Sequence, residues 1–181
     1  MAFVEKYGVK IENPAITDKD SDVFLIRHGY SEFNYAHTIQ KLKGESEWIR
    51  LKADTSLIDA NLSRIGWHQA ITNGPQLNEL NITRVWVSPM RRAIQTAIGM
   101  FRNHPNKAKI NFQIVPQCHE FTHTTNDLPM DVYQLINCYK PGSAASEGLH
   151  FDFTWLLHYA QPQLWSILSL WNTKKQALIL S

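Results

Sequence analysis

Arg27-His28-Gly29 ends an apolar run, Val23-Phe24-Leu25-Ile26, and sets a permanent cation beside an imidazole and a residue with no side chain. A guanidinium recognises phosphate oxygens through its forked N–H donors, and a neutral imidazole nitrogen can attack phosphorus. The pair therefore points to phosphoryl chemistry through a phosphohistidine. Taken alone the tripeptide is a weak signal, because a histidine after a strand more often serves as a hydrogen-bonded structural residue.

Position strengthens the pattern. Four consecutive apolar residues between a polar segment and a glycine read as a fully buried strand at about 22 to 27, which brings Arg27 and His28 out together at its carboxyl end. In open α/β sheets that edge is where ligands bind. Ser63 reads as the N-cap of a helix that Asn73-Gly74-Pro75 interrupts. Arg84-Val85-Trp86-Val87 reads as a second buried strand, and Ser88-Pro89 as the cap and first position of a helix running from Met90 to about Phe101. Asn111 to Val115 is a third strand, residues 116–129 form a loop or lid, and Asp131 to Tyr139 a short helix. Pro162 suits the start of a further helix, with Leu164, Leu168 and Trp171 on one face, and Ala177-Leu178-Ile179-Leu180-Ser181 is a strand pattern. Alternating strands and helices imply an α/β fold: a three-layer, doubly wound, mainly parallel sheet with helices on both faces. The chain is expected to form a single domain over residues 1–181, with residues 1–20 as an N-terminal arm.

Bulk properties narrow the function class. The chain has 181 residues, 44% of them hydrophobic, and a net charge of +2. Its Lys and Arg residues are scattered, so no nucleic-acid partner is implied. Two cysteines, Cys118 and Cys138, are too few for a disulfide scaffold or a thiolate zinc cluster. The first twenty residues carry charges throughout, and no apolar run approaches membrane-spanning length. A cytoplasmic protein without a membrane partner is expected; its oligomeric state is left open.

Three stretches occur in order: Arg27-His28-Gly29-Tyr30-Ser31-Glu32-Phe33-Asn34, then Asp59 to Ala70 with Leu62-Ser63-Arg64-Ile65-Gly66 and Gln69-Ala70, then Ser88-Pro89-Met90-Arg91-Arg92-Ala93. Together they resemble the histidine phosphatase superfamily, also called phosphoglycerate mutase-like, over roughly residues 22 to 120. The resemblance implies that His28 is the residue phosphorylated and that Arg27 holds the phosphoryl oxygens. It carries the second phosphate arginine onto Arg92, directly before Ala93, with Arg91 as rival. Successive helix residues lie about 100° apart, so the two arginines should not share one role. Asn34 matches a position that contacts the phosphoryl group, or it caps the helix that follows. Fixed cations suit a dianion whose charge spreads over the equatorial oxygens in the transition state, and they disfavour imidazolium at His28.

An alkoxide leaving group needs an acid, which the family supplies from a loop after the third strand. Val115 to Glu120 resembles that segment, which makes Glu120 the choice and Asp127 the reserve. A different chemistry lies on the same residues, since His119-Glu120-Phe121-Thr122-His123 matches the H-E-x-x-H pattern of zinc hydrolases. That pattern works only on a helix, and Pro116, the β-branched threonines 122, 124 and 125, and Pro129 argue against one. The expected site therefore contains no metal and no cofactor.

Two departures bear on activity. Tyr30 replaces the acidic residue usual after the glycine, and the Ser/Gly-containing segment of true mutases is not recognisable between His37 and Asp59, which favours hydrolysis over phosphoryl isomerisation. The family also places a second histidine at the end of a late strand resembling residues 177–181, so the domain is expected to be incomplete at its C-terminus and its activity impaired. The reading is a metal-independent phosphatase acting on a small-molecule or protein phosphomonoester. Its rivals are an inactive or weakly active homologue that binds phosphorylated ligands, and a zinc hydrolase using His119, Glu120 and His123.

Overall fold

Val87, Phe112, Ile114 and Phe151 are buried strand residues, and they lie on three parallel strands: β1 (Arg84–Val87), β2 (Asn111–Ile114) and β3 (Phe151–Asp152). The computed structural model describes residues 2–159, and the expected helix from Pro162 and strand at 177–181 lie outside them. Strand order is β1-β2-β3, with Val87 opposite Ile114 and Phe112 opposite Phe151. The helices are α1 (Ala2–Tyr7), α2 (Glu32–Lys41), α3 (Glu45–Lys52), α4 (Arg64–Asn73), α5 (Arg91–Phe101), α6 (Val132–Tyr139) and α7 (Thr154–Tyr159). Together they make an α/β fold with helices around a parallel sheet, as the alternating pattern implies. None of these helices is long and apolar enough to cross a membrane.

The core follows from helical and strand periodicity. Ile94, Ala97, Ile98 and Phe101 recur at i, i+3, i+4 and i+7 along α5, and all are buried. Phe101 meets Phe112 edge to face at 5.1 Å between ring centroids, and Phe112 meets Phe151 at 5.8 Å. Aromatic pairs in this arrangement add about 0.5–1.5 kcal/mol each beyond their buried area.

Two local expectations are corrected. Residues 22–27 belong to no ladder among the described residues, and they are not buried on both faces. Phe24 and Ile26 pack on the core, whereas Val23 and Leu25 are 66% and 61% exposed, so the run follows the period of a half-buried strand. A groove separates this segment from β1 and is lined by Phe24, Ile26, His28, Val85, Val87 and Thr96. The helix after β1 begins at Arg91 rather than Met90, with Met90 at the N-cap; Ser88 Oγ instead accepts the Met90 N–H at 3.4 Å. Ser63 does cap α4, as its side-chain chemistry predicts, whereas Asp131 stands outside α6 as its N-cap rather than as its first residue.

The N-terminal arm has more order than a lead-in. Phe3 of α1 stacks on Tyr35 at 4.4 Å, and residues 10–13 are held along α4 by side-chain amides. Gln69 Nε2 donates to Lys10 O, and Asn73 Nδ2 donates to Ile11 O while Asn73 Oδ1 accepts the Asn13 N–H.

Candidate active site

His28 stands where the 22–27 segment turns toward α2. Its Nδ1–H donates to Gly29 O at 2.7 Å, which leaves Nε2 as the lone-pair nitrogen. Burial is the largest cause of a pKa lowered to about 4, followed by the positive charge of Arg92; the Gly29 bond opposes, Arg27 adds to the lowering, and Glu120 opposes it. The ring is therefore neutral at physiological pH, the state that a nitrogen nucleophile requires.

Close backbone packing holds that turn in place. The Gly29 N–H donates to Thr96 Oγ1 at 2.9 Å, and the same hydroxyl donates to Arg92 O at 2.7 Å. Thr96 thus joins the His28–Gly29 turn to the first turn of α5. The Tyr30 N–H donates to Gln69 Oε1 at 2.8 Å, while Ser63 Oγ donates to Tyr30 O at 2.6 Å. A β-carbon on Gly66 would lie 2.3 Å from Tyr30 O, so only glycine lets α4 approach the loop this closely.

Arg92 and Arg91 divide as the helix angle requires. Arg92 is fully buried; its Nη1 donates to Asn126 O at 2.9 Å, and its Nη2 to Glu120 Oε2 at 2.8 Å and Asp127 Oδ1 at 3.3 Å. Arg91 turns away, donating from Nε to Asp59 O and from Nη2 to Ile58 O. Arg92 is the arginine whose charge reaches His28.

The loop after β2 brings Glu120 to Arg92 with its side chain 44% exposed, able to meet an incoming ligand. Asp127, the reserve acid, has a different part. Its Oδ2 accepts the N–H groups of His123 and Thr124 and the Thr124 hydroxyl, so the side chain organises the loop. Residues 119–123 are not helical, so His119 and His123 do not present the i, i+4 face that a zinc hydrolase needs. No group of three His, Cys, Asp or Glu among the described residues could hold a metal ion. Burial lowers the His119 pKa.

Arg27 is exposed and lies near enough for its charge to act on His28. Ser31 is the N-cap of α2, and Asn34, the third residue of the helix, completes a capping box with it: Asn34 Oδ1 accepts the Ser31 N–H and hydroxyl, both at 3.0 Å, while Ser31 Oγ accepts the Asn34 N–H. Thr96, Gln69 and Asp59 escape a reading by residue type. Thr96 was detectable as the residue one helical turn beyond Arg92, and Gln69 as the polar member of Gln69-Ala70.

The profile of the histidine phosphatase superfamily (branch 1) matches residues 23–122, more than half of the chain. The chain is also similar to agropine synthesis reductase of Rhizobium rhizogenes, 35% identical over 77 residues, which are 42% of this chain and 17% of that protein. The chain thus corresponds to a small part of that relative's length. No solved structure matches it significantly. With His28, Arg92 and Glu120 all inside the matched span, the chain belongs to the histidine phosphatase superfamily, branch 1.

Proposed function

We propose that the protein hydrolyses a phosphomonoester through a covalent phosphohistidine at His28. His28 Nε2 attacks phosphorus, the bond to the leaving oxygen breaks, and Glu120 in its acid form gives that oxygen a proton. Water then attacks the phosphohistidine with Glu120 as base, the P–N bond breaks, and phosphate leaves. Arg92 and Arg27 stabilise the charge on the transferring oxygens, Asn34 contributes through its amide, and the scheme uses no metal or cofactor. A dianion reaching Arg92 competes with Glu120 for Nη2.

One observation carries the reading: a half-buried imidazole, kept neutral by desolvation and the Arg92 charge, stands in the field of a cation that is already paired with a reachable carboxylate. Hydrolysis is favoured over mutase action by Tyr30 and by the absence of a recognisable Ser/Gly segment before Asp59. The substrate is a small-molecule or protein phosphomonoester, met in the cytoplasm. The full chain should release p-nitrophenol from p-nitrophenyl phosphate, with inhibition by vanadate, and His28→Ala should abolish release. Equal rates in the wild type and His28→Ala would remove the proposal. Vanadate binding without turnover would favour the rival reading, a homologue that only binds phosphorylated ligands.

A further inference from the structure

A buried carboxylate outside the cradle joins the two segments that build it. Asp59 is fully buried, with its backbone in the left-handed region at φ 45°. Its Oδ1 accepts the Arg91 N–H at 2.8 Å, and its Oδ2 the Met130 N–H at 3.1 Å. The first bond grips α5 one residue before Arg92. The second grips the far end of the loop that brings Glu120, Asn126 O and Asp127 to the Arg92 guanidinium. Ala60 adds a third tie, its N–H donating to Asn126 Oδ1 at 3.2 Å. Arg91 closes the arrangement from the helix side by donating to the Asp59 and Ile58 carbonyls at 2.7 and 3.1 Å.

Residue chemistry restricts what can stand here. A carboxylate supplies two acceptor oxygens, one for each N–H; an asparagine would set its NH2 against one of the two N–H groups. A non-glycine residue at positive φ is strained and persists only where surrounding contacts hold it. Burial pushes the Asp59 pKa up against the pull of both N–H donors and Arg91, so the group is retained in a costly setting.

We propose that Asp59, with the Ala60 amide beside it, is a positioning residue that sets the distance between Arg92 and the Glu120 loop, and through Arg92 the charge felt at His28 and the affinity for phosphate. The inference rests on the reading of His28 and Arg92 as the phosphoryl site. Asp59→Asn in the full chain tests it with two readouts that a merely structural residue would leave unmoved: the His28 titration midpoint, followed by NMR of labelled histidine, and the binding of inorganic phosphate. Arg92 should draw away, the midpoint should rise from about 4 toward 6.5, and phosphate should bind about tenfold more weakly, as for one weakened charged hydrogen bond. A folded Asp59→Asn protein with both readouts unchanged overturns the proposal. Should that variant fail to fold, Asn126→Ala severs the Ala60 tie while keeping the carbonyl that receives Arg92; it should move both readouts the same way, and a folded protein with wild-type values overturns the proposal. Neither readout needs turnover, so a missing phosphohistidine would count against the phosphatase reading and leave this test standing.

Discussion

Arg92 Nη2 lies 2.8 Å from Glu120 Oε2 while the same guanidinium helps keep the His28 imidazole unprotonated. One buried cation therefore links an imidazole and a carboxylate, His28 and Glu120, that lie 92 positions apart in sequence. The coupling places opposite demands on the two groups: positive charge keeps the histidine neutral and the carboxylate near.

Glu120→Gln should separate the acid role from a structural one. The variant should fold normally and lose about 100- to 10,000-fold in kcat toward alkyl phosphates, whose alkoxide needs a proton. Its loss toward p-nitrophenyl phosphate should be much smaller, since nitrophenolate departs unaided. Equal losses on both substrates would show that Glu120 does not protonate the leaving group.

Low pH should weaken both activity and fold through His28. Its folded pKa, about 4, lies below the ordinary 6.5, so the unfolded chain binds the proton first. The neutral ring's contribution is complete above pH 6.5, is lost as pH falls from 6.5 toward 4, and amounts to about 3 kcal/mol. Buried His119, also lowered, adds the same sign. Urea unfolding at pH 7 and pH 4.5 should show a steeper loss for the wild type than for His28→Gln, and kcat/KM should keep its acid limb near pH 4. Parallel unfolding curves, or an acid limb at 6.5, would contradict the assigned environment.

Thr96→Val preserves shape and deletes one hydroxyl. The Gly29 N–H then loses its acceptor and Arg92 O its side-chain donor, at a stability cost of about 1–3 kcal/mol. Because His28 and Arg92 are tied through this hydroxyl, kcat should fall as well, by up to about 100-fold for a displacement near 1 Å. Thermal unfolding and steady-state kinetics of the variant measure both effects.

Local chemistry made much of this legible. Ser63 caps its helix because a short oxygen-bearing side chain meets open N–H groups, and β1 and β2 follow from their apolar residues, although β1 is half-buried with Trp86 49% exposed rather than buried throughout. The 22–27 run misled because four apolar residues look alike whether one face or two is covered; the exposure of Val23 and Leu25 is a tertiary outcome. Arg92 was separable from Arg91 by helical angle and by resemblance. Asp127 was not separable from Glu120 as an acid, because its role depends on three backbone and hydroxyl donors that fold around it. Asp59 reads from the sequence as no more than a turn or capping residue for the same reason: its partners at Arg91 and Met130 are backbone amides, which every residue but proline offers.

The central claim is that His28 takes the phosphoryl group from substrate. Mixing the full chain with a phosphomonoester, quenching at alkaline pH within the first turnovers and mapping the peptides by mass spectrometry tests it directly. An acid-labile, alkali-stable phosphate on His28 that is absent from His28→Ala is the expected result. Turnover with no phosphate on His28, or phosphate on another residue, would contradict it.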